Sequence, residues 1–440
     1  MFLLMKSVIF RAKSIVKKSQ LIRKIVLKHR YKKYLKKLSY QKSIGNDGGP
    51  KVLIINHHFD QDVETLIKGC SKEFQFFDIH CMPFFNQGEL FFLTDDERDG
   101  VIPYGNLPSE LTQKYRKVCY ELFKDLRNIF SFELIIIPSD SFWWIREFLS
   151  VAAEFEIKRI VLDKEGLQTP YCYDTHPAQI KDKFPFMSDY LLVWSTRQRD
   201  FWIRAGVPEE IITVIGQPRS DFFFEKERWK SKSSLGLDDM RRMILFFTFD
   251  IDAYIHIYPI EEIRQNSLSW LPLRNDINNL LLEFAKSHDD IDIVIKVHPQ
   301  QSDIEHIRKT FSEAGISNIK IMDGASISNH LIVTSNLIVG FQTTALIESM
   351  LTEKPIIYTG WSDTEKKLRD DLIPLHSCKG IVQADSKDSL AKLLDSWADG
   401  EKIGEDLAYR KEFTDYYLSA DGKVCNRLSK TLTNIIKKAN

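Results

Sequence analysis

Two successive doubly wound α/β domains are the fold class this sequence predicts, and three observations predict it. Short apolar runs ending in polar or glycine-containing residues alternate with longer amphipathic stretches, the pattern of β-strands feeding βα loops in a mostly parallel sheet. The runs form two series separated by a charged, aperiodic stretch. The chain of 440 residues is also too long for one hydrophobic core and suits two domains plus appendages.

The first series is "KVLIINHH" (51–58), "LIIIPSD" (134–140), "RIVLDKEG" (159–166), "YLLVWST" (190–196) and "IITVIGQP" (211–218), which defines an N-terminal domain over 47–225. The stretch 226–239, charged and serine-containing, reads as the linker. The second series is "MILFFTFD" (243–250), "DIVIKVHP" (292–299), "IKIMDG" (319–324), "NLIVGFQT" (336–343) and "KPIIYTG" (354–360), which defines a C-terminal domain over 240–405. Helices are expected over 406–440. Val424, Leu428, Leu432 and Ile435 have the spacing of a helix docked by one apolar face, packing back on the N-terminal domain.

Before the first strand lies a different composition. Residues 1–46 hold fourteen Lys or Arg and no Asp or Glu, so the zero net charge of the chain hides a remainder of −14. Val8, Ile15, Ile22 and Val26 recur at helical spacing with cations between them, the pattern of a basic amphipathic helix. Lys6 and Arg11 interrupt the unbroken apolar run that a signal peptide needs. The reading is a membrane-surface segment, with residues 1–42 docking on an anionic leaflet where each basic residue contributes about 1 kcal/mol. A solvated basic arm and a nucleic-acid tail are the alternatives. The acidic remainder and the lack of an RNA-binding aromatic signature argue against nucleic acid as a partner.

Composition excludes other classes. Apolar (43%) and charged (28%) fractions are those of a globular protein. No uncharged apolar run reaches the ~18 residues of a transmembrane helix. Cys70, Cys81, Cys119, Cys172, Cys378 and Cys425 are scattered without a C-x-x-C pair, against a zinc site or a secreted disulfide framework. A cytoplasmic location, peripheral on the inner face of the cytoplasmic membrane, is therefore expected.

In open α/β sheets ligands bind beyond the carboxyl ends of strands, so candidate site residues are sought where strands stop. His298 is one: Pro299 restricts it to extended backbone, which fixes its direction at the mouth of a cleft between the domains. An imidazole there can donate to a phosphate oxygen or protonate a leaving group, although a strand-end histidine is also a common structural residue. In "VGFQTTALIESMLTEKP" (339–355), Thr343 and Thr344 occupy an N-cap position, where hydroxyls and unpaired N–H groups suit a phosphate. Glu348, one turn on, can accept from a ribose; ordinary capping and a solvated carboxylate are the plainer account. Arg219 is placed either to reach a phosphate or to pair with Asp221. The paired His57 and His58 end the first strand, either lining the acceptor side or playing no role.

The combination of "KVHP", a hydroxyl pair opening "TTALIESMLTEKP" 45 residues later, and "IGQPRSD" (215–221) upstream resembles bacterial cell-surface polysaccharide glycosyltransferases of the GT-B fold. It is similar to the sialyltransferase, polysialyltransferase and Kdo-transferase group of capsule and lipopolysaccharide synthesis, and to the teichoic-acid CDP-glycerol polymerases. The resemblance, scattered over roughly 155–360, implies two Rossmann-like domains facing a cleft. It implies that His298 contacts the donor phosphate and supplies an acid, and that Thr343 and Thr344 hold the phosphate. It also implies that the acid-acid-glycine motif, here "DKEG" (163–166), supplies the base. Lys164 stands at the motif's first acid, which leaves Glu165 or the displaced Asp163 for that role.

The expected function is transfer of a sugar from a nucleotide-activated donor, a CMP-sugar of sialic acid or Kdo type favoured, to a growing polysaccharide or lipid-linked glycan. Glu165 or Asp163 would deprotonate the acceptor. Lys296, His298, Pro299, Gln342, Thr343, Thr344, Glu348, Gln217 and Arg219 would hold the donor. The alternatives are a CDP-polyol phosphotransferase of teichoic-acid type, a non-catalytic polysaccharide-assembly subunit, or a nucleotide-sugar 2-epimerase, which would not need the basic arm. "FDID" (249–252) is an Asp-x-Asp of the kind that binds metal in the other major glycosyltransferase fold. Here it opens the second domain, and neither cofactor nor metal is expected.

Overall fold

The computed structural model describes residues 32–38, 43–88, 103–164, 166–253, 266–298, 303–324, 327–404 and 406–439, together with Phe91, Ile255, Ile263 and Gln301. Glu165, Pro299 and residues 1–31 and 39–42 of the basic segment lie outside the described residues.

Two sheets organise the chain. The first contains β1 (Ile44–Gly45), β2 (Lys51–Asn56), β3 (Gln75–His80), β4 (Leu134–Ile137), β5 (Lys158–Leu162), β6 (Tyr190–Val193) and β7 (Ile212–Val214), in the order β1-β3-β2-β4-β5-β6-β7. Only the short β1 runs antiparallel to its neighbour; every other pairing is parallel. The second contains β8 (Arg242–Phe247), β9 (Ile291–Lys296), β10 (Ile319–Met322), β11 (Leu337–Gly340), β12 (Ile356–Thr359) and β13 (Val382–Ala384). It is wholly parallel, in the order β10-β9-β8-β11-β12-β13. In both, strand order reverses at the centre, between β2 and β4 and between β8 and β11. That reversal is the doubly wound topology and leaves a crevice at the strand ends.

The strand sequences explain the arrangement. "LIII" of β4 and "LIVG" of β11 are buried at every position, because helices cover both faces of a parallel sheet and leave no solvent side. The helices that matter here are α1 (Asp60–Cys70), α2 (Met82–Gly88), α3 (Ser109–Phe130), α4 (Arg146–Glu154), α5 (Pro170–Lys183) and α6 (Thr196–Arg204) in the first half. The second half carries α7 (Leu271–Ser287), α8 (Ile304–Ser312), α9 (Ser328–Thr334), α10 (Thr344–Ser349), α11 (Asp363–Leu368) and α12 (Lys387–Ala398), followed by α13 (Leu407–Tyr417) and α14 (Val424–Ala439).

The last helix crosses back. Val424, Leu428, Leu432 and Ile435 are buried in one cluster with Val52, Ile54, Leu66 and Ile136 of the first sheet and α1. Asp221 holds its start, accepting from Val424 N at 3.1 Å and Cys425 N at 2.8 Å. The approach is close enough to need Gly216. A Cβ there would sit 2.7 Å from Ser419 O and from Val424 Cγ2, and the residue adopts φ +93°. All six cysteines are unpaired and buried.

Candidate functional site

A cleft of about 340 Å³ opens where the carboxyl ends of the two sheets face one another. Each wall follows from strand ends. β2 stops at Asn56 and delivers His58, Asp60 and Asp62; β5 stops at Leu162 and delivers Lys164. Opposite, β8 delivers Thr248, β9 delivers Lys296 and His298, and the β11–α10 turn delivers Thr343, Thr344 and Glu348. The structure therefore brings together Lys296, His298, Thr343, Thr344, Glu348 and Arg219 of the expected donor set.

Their states differ. Lys296 is buried, and its Nζ donates to Val297 O at 2.6 Å. Burial pulls its pKa down to about 8, only partly countered by Asp323. His298 is exposed at the cleft mouth. Thr343 is the N-cap of α10, its Oγ1 accepting from Ala345 N at 3.3 Å, which leaves the hydroxyl hydrogen to donate elsewhere. Thr248, 5% exposed and missed by the sequence reading, has an Oγ1 without a partner among the described residues. A buried hydroxyl at a cleft wall without a partner is what a site leaves for its ligand.

Arg219 is a clasp. Its Nη1 donates to Asp62 Oδ2 at 2.8 Å and its Nε to Glu348 Oε1 at 2.8 Å, with the guanidinium over the Trp194 ring. Although burial opposes its charge, Glu348 and Asp62 raise its pKa above the ordinary value. Pairing with Asp221, one of the two sequence expectations, does not occur, because that carboxylate is taken up by α14. Glu348 receives Arg219 and also Gln217 Nε2, at 2.9 Å, so its Oε1 joins the domains and is not left for a ribose. Gln217 is fully buried behind that contact.

Two further expectations are corrected. Gln342 turns away from the cleft: its amide donates to the Tyr358 hydroxyl and Ile373 O and accepts from Ile373 N, fixing the turn behind Thr343. Asp163 is buried inside the first domain, with Oδ2 accepting from Gln198 Nε2 at 2.8 Å and Trp202 Nε1 at 2.6 Å. A carboxylate so engaged does not meet an acceptor. Its motif glycine has a packing reason, since any Cβ on Gly166 would overlap the Trp194 ring. Asp250 and Asp252 do not line the cleft.

His58 gains weight. It lines the cleft from the first domain at φ +52°, a left-handed conformation that costs a non-glycine residue about 1 kcal/mol or more. His57 behind it packs edge-on to Phe142 and Trp144, and burial together with His58 lowers its pKa to about 4. At neutral pH His57 is a neutral support for its neighbour.

Solved structures place the fold. The chain is similar to a UDP-N-acetylglucosamine 2-epimerase from Listeria monocytogenes, at 12% identity and a TM-score of 0.53 over 89% of this chain and 98% of that one. It is similar to the Neisseria meningitidis UDP-GlcNAc 2-epimerase, at 12% identity and a TM-score of 0.51 over 87% and 100%. The Methanocaldococcus jannaschii UDP-GlcNAc 2-epimerase matches at 14% identity and a TM-score of 0.51 over 88% and 99%. These likenesses establish the two-domain GT-B-like architecture. No curated protein matches the sequence. The family model described as CDP-Glycerol:Poly(glycerophosphate) glycerophosphotransferase matches residues 147–434, well over half of the chain. That span takes in Arg219, Lys296, His298 and both threonines, and the chain accordingly belongs to this family of transferases.

Proposed function

We propose that this protein transfers a polyol phosphate, glycerol phosphate in the first instance, from a CDP-activated donor to the hydroxyl end of a teichoic-acid-type polymer. Family membership supports this CDP-polyol alternative over transfer of a CMP-sugar. The observation that carries it is the composition of the cleft, where Lys296, His298, Thr248, Thr343 and Thr344 offer an amine, an imidazole and hydroxyls to a diphosphate.

In this reading the acceptor oxygen attacks the β-phosphorus of the donor as its proton passes to His58, with Glu165 the second candidate base. The phosphoanhydride bond breaks, and CMP departs with the bonding electrons, stabilised by Lys296 and the threonine hydroxyls and protonated or hydrogen-bonded by His298. Arg219, Asp62, Gln217 and Glu348 hold the two walls at the spacing the reaction needs. The basic segment 1–42 would keep the enzyme on an anionic membrane surface, near a lipid-linked acceptor.

The test is CMP release by the purified protein from a panel of CDP-glycerol, CDP-ribitol and CMP-, UDP- and GDP-sugars, with and without polymer acceptor. Acceptor-dependent turnover of a CDP-polyol is expected. Turnover confined to CMP-sugars would refute the reading.

A further inference from the structure

A second, smaller pocket of about 210 Å³ lies on the other side of α1. Asp60 and Asp62 of that helix face the main cleft, while Glu64, Thr65 and Lys68 face the small pocket, and Gln61 lines both. The two spaces thus adjoin along one helix. On the opposite wall α9 repeats the pattern, with Ser328 in the main cleft and Asn329 and His330 in the small pocket.

The pocket is cationic and contains a polar group without a partner. Lys68, Arg228 and Lys230 line it against the single carboxylate of Glu64, which is 69% exposed and 3.9 Å from Arg228. Arg228 is held in place: Glu225 accepts from its Nη1 at 3.0 Å, and its guanidinium lies over the Phe222 ring. Burial and the neighbouring Lys230 and Arg228 keep His330 below its ordinary pKa, with Glu64 opposing. Asn329 is 5% exposed, and its Oδ1 has no partner among the described residues.

We propose that this pocket is a subsite for the backbone of the acceptor polymer, binding a polyol phosphodiester unit behind the reacting end. The phosphodiester anion meets Lys68, Lys230 and the fixed edge of Arg228. A polyol hydroxyl, both donor and acceptor, meets the Asn329 amide in either orientation of that amide. Neither a neutral glycan nor an isolated phosphate satisfies both halves. The proposal rests on the transfer reading above and adds to it an acceptor site separate from the donor groups.

The test uses the full chain and two measurements. Binding of a fluorescent poly(glycerol phosphate) oligomer is compared for the wild type, for Lys68→Glu with Lys230→Glu, and for Asn329→Ala, with uncharged polyglycerol as competitor. Affinity should fall roughly tenfold or more in the double variant, equivalent to about 1.4 kcal/mol, and measurably in Asn329→Ala, while polyglycerol competes poorly. No binding by the wild type, equal binding by the double variant, or equal competition by polyglycerol overturns the subsite. The second measurement is CMP release from CDP-glycerol with the oligomer as acceptor, where the loss should fall on acceptor KM and not on donor KM. A wild type that binds oligomer through these lysines yet releases no CMP overturns the transfer reading alone. One that turns over, with acceptor KM unchanged in the double variant, overturns the subsite alone. Thermal unfolding of each variant separates loss of the pocket from loss of the fold.

Discussion

Arg219 of the first domain donates from Nε to Glu348 Oε1 of the second at 2.8 Å, while its Nη1 holds Asp62. One guanidinium thus ties the helix that bears the acceptor wall to the helix whose N-cap bears the donor hydroxyls. Both carboxylates are nearly buried, with side chains 3% and 5% exposed. Neither has water to fall back on if the arginine is lost.

Arg219→Ala should therefore cost about 3–5 kcal/mol, measured by denaturant unfolding. Arg219→Lys should recover only part, since an ammonium does not present two fixed donors to two carboxylates. A loss below about 1 kcal/mol for Arg219→Ala would mean that the clasp does not join the domains.

Lys296 sets a pH dependence. Its folded pKa of about 8 lies below the ordinary 10.5, so the free protein loses that charge as pH rises through 8. Donor affinity should fall about tenfold between pH 7 and pH 9 if the charge holds a phosphate. In Lys296→Met the slope should flatten. For stability the sign is opposite: the penalty of burying the charge is complete below pH 8 and fades as pH rises towards 10.5, because there the unfolded chain binds the extra proton. Identical pH profiles of nucleotide binding in wild type and variant would remove Lys296 from the site.

The donor groups make a third prediction. His298→Ala should lower turnover by at least about tenfold, or 1.4 kcal/mol of transition-state stabilisation. Thr343→Val with Thr344→Val should weaken nucleotide binding and, through loss of the cap on α10, cost about 1 kcal/mol of stability. Unchanged rate and affinity in both variants would place the donor elsewhere.

Much of this was legible in the residues. Ten strands announce themselves as apolar runs with polar ends, and from their alternation with helices comes the doubly wound fold. β1, β3 and β13 do not stand out in this way. β1 has two residues, β13 three, and "QFFDIH" of β3 lacks the aliphatic run that marks the others. Strand ends also gave Lys296, His298, Thr343 and Thr344, since in a parallel sheet the end of a strand is a position in space. The roles of Gln342, Asp163, Gln217 and Glu348 were not legible, because a side chain's partner across 30 to 130 residues is decided by tertiary packing. Gln342 meets Ile373 only once the second domain is folded, and Glu348 meets Gln217 only once the two domains come together. Thr248 carried the same strand-end signal, directly after β8, but a lone threonine there has nothing in the sequence to single it out; its buried hydroxyl becomes visible only in the cleft.

The basic segment makes a fourth prediction, independent of the cleft. The full chain should bind acidic liposomes at low salt, release them as salt screens its cations, and ignore neutral ones. A chain beginning at Lys32, which keeps Leu38 in the first-domain core and Tyr34 against it, should keep soluble-acceptor activity and lose most of its liposome binding. Equal co-sedimentation of the two would end the membrane reading, and strong RNA binding by the segment would revive the nucleic-acid one.

The bond that breaks decides the central claim. CDP-glycerol radiolabelled at the β-phosphorus, incubated with the protein and a polyol-phosphate acceptor, separates phosphoryl from glycosyl-type transfer in one chromatogram. Attack at phosphorus sends the label into the polymer and leaves unlabelled CMP, which is the predicted result. Label retained on the nucleotide as CDP, or donor left intact beside an acceptor-dependent CMP-sugar turnover, would contradict it.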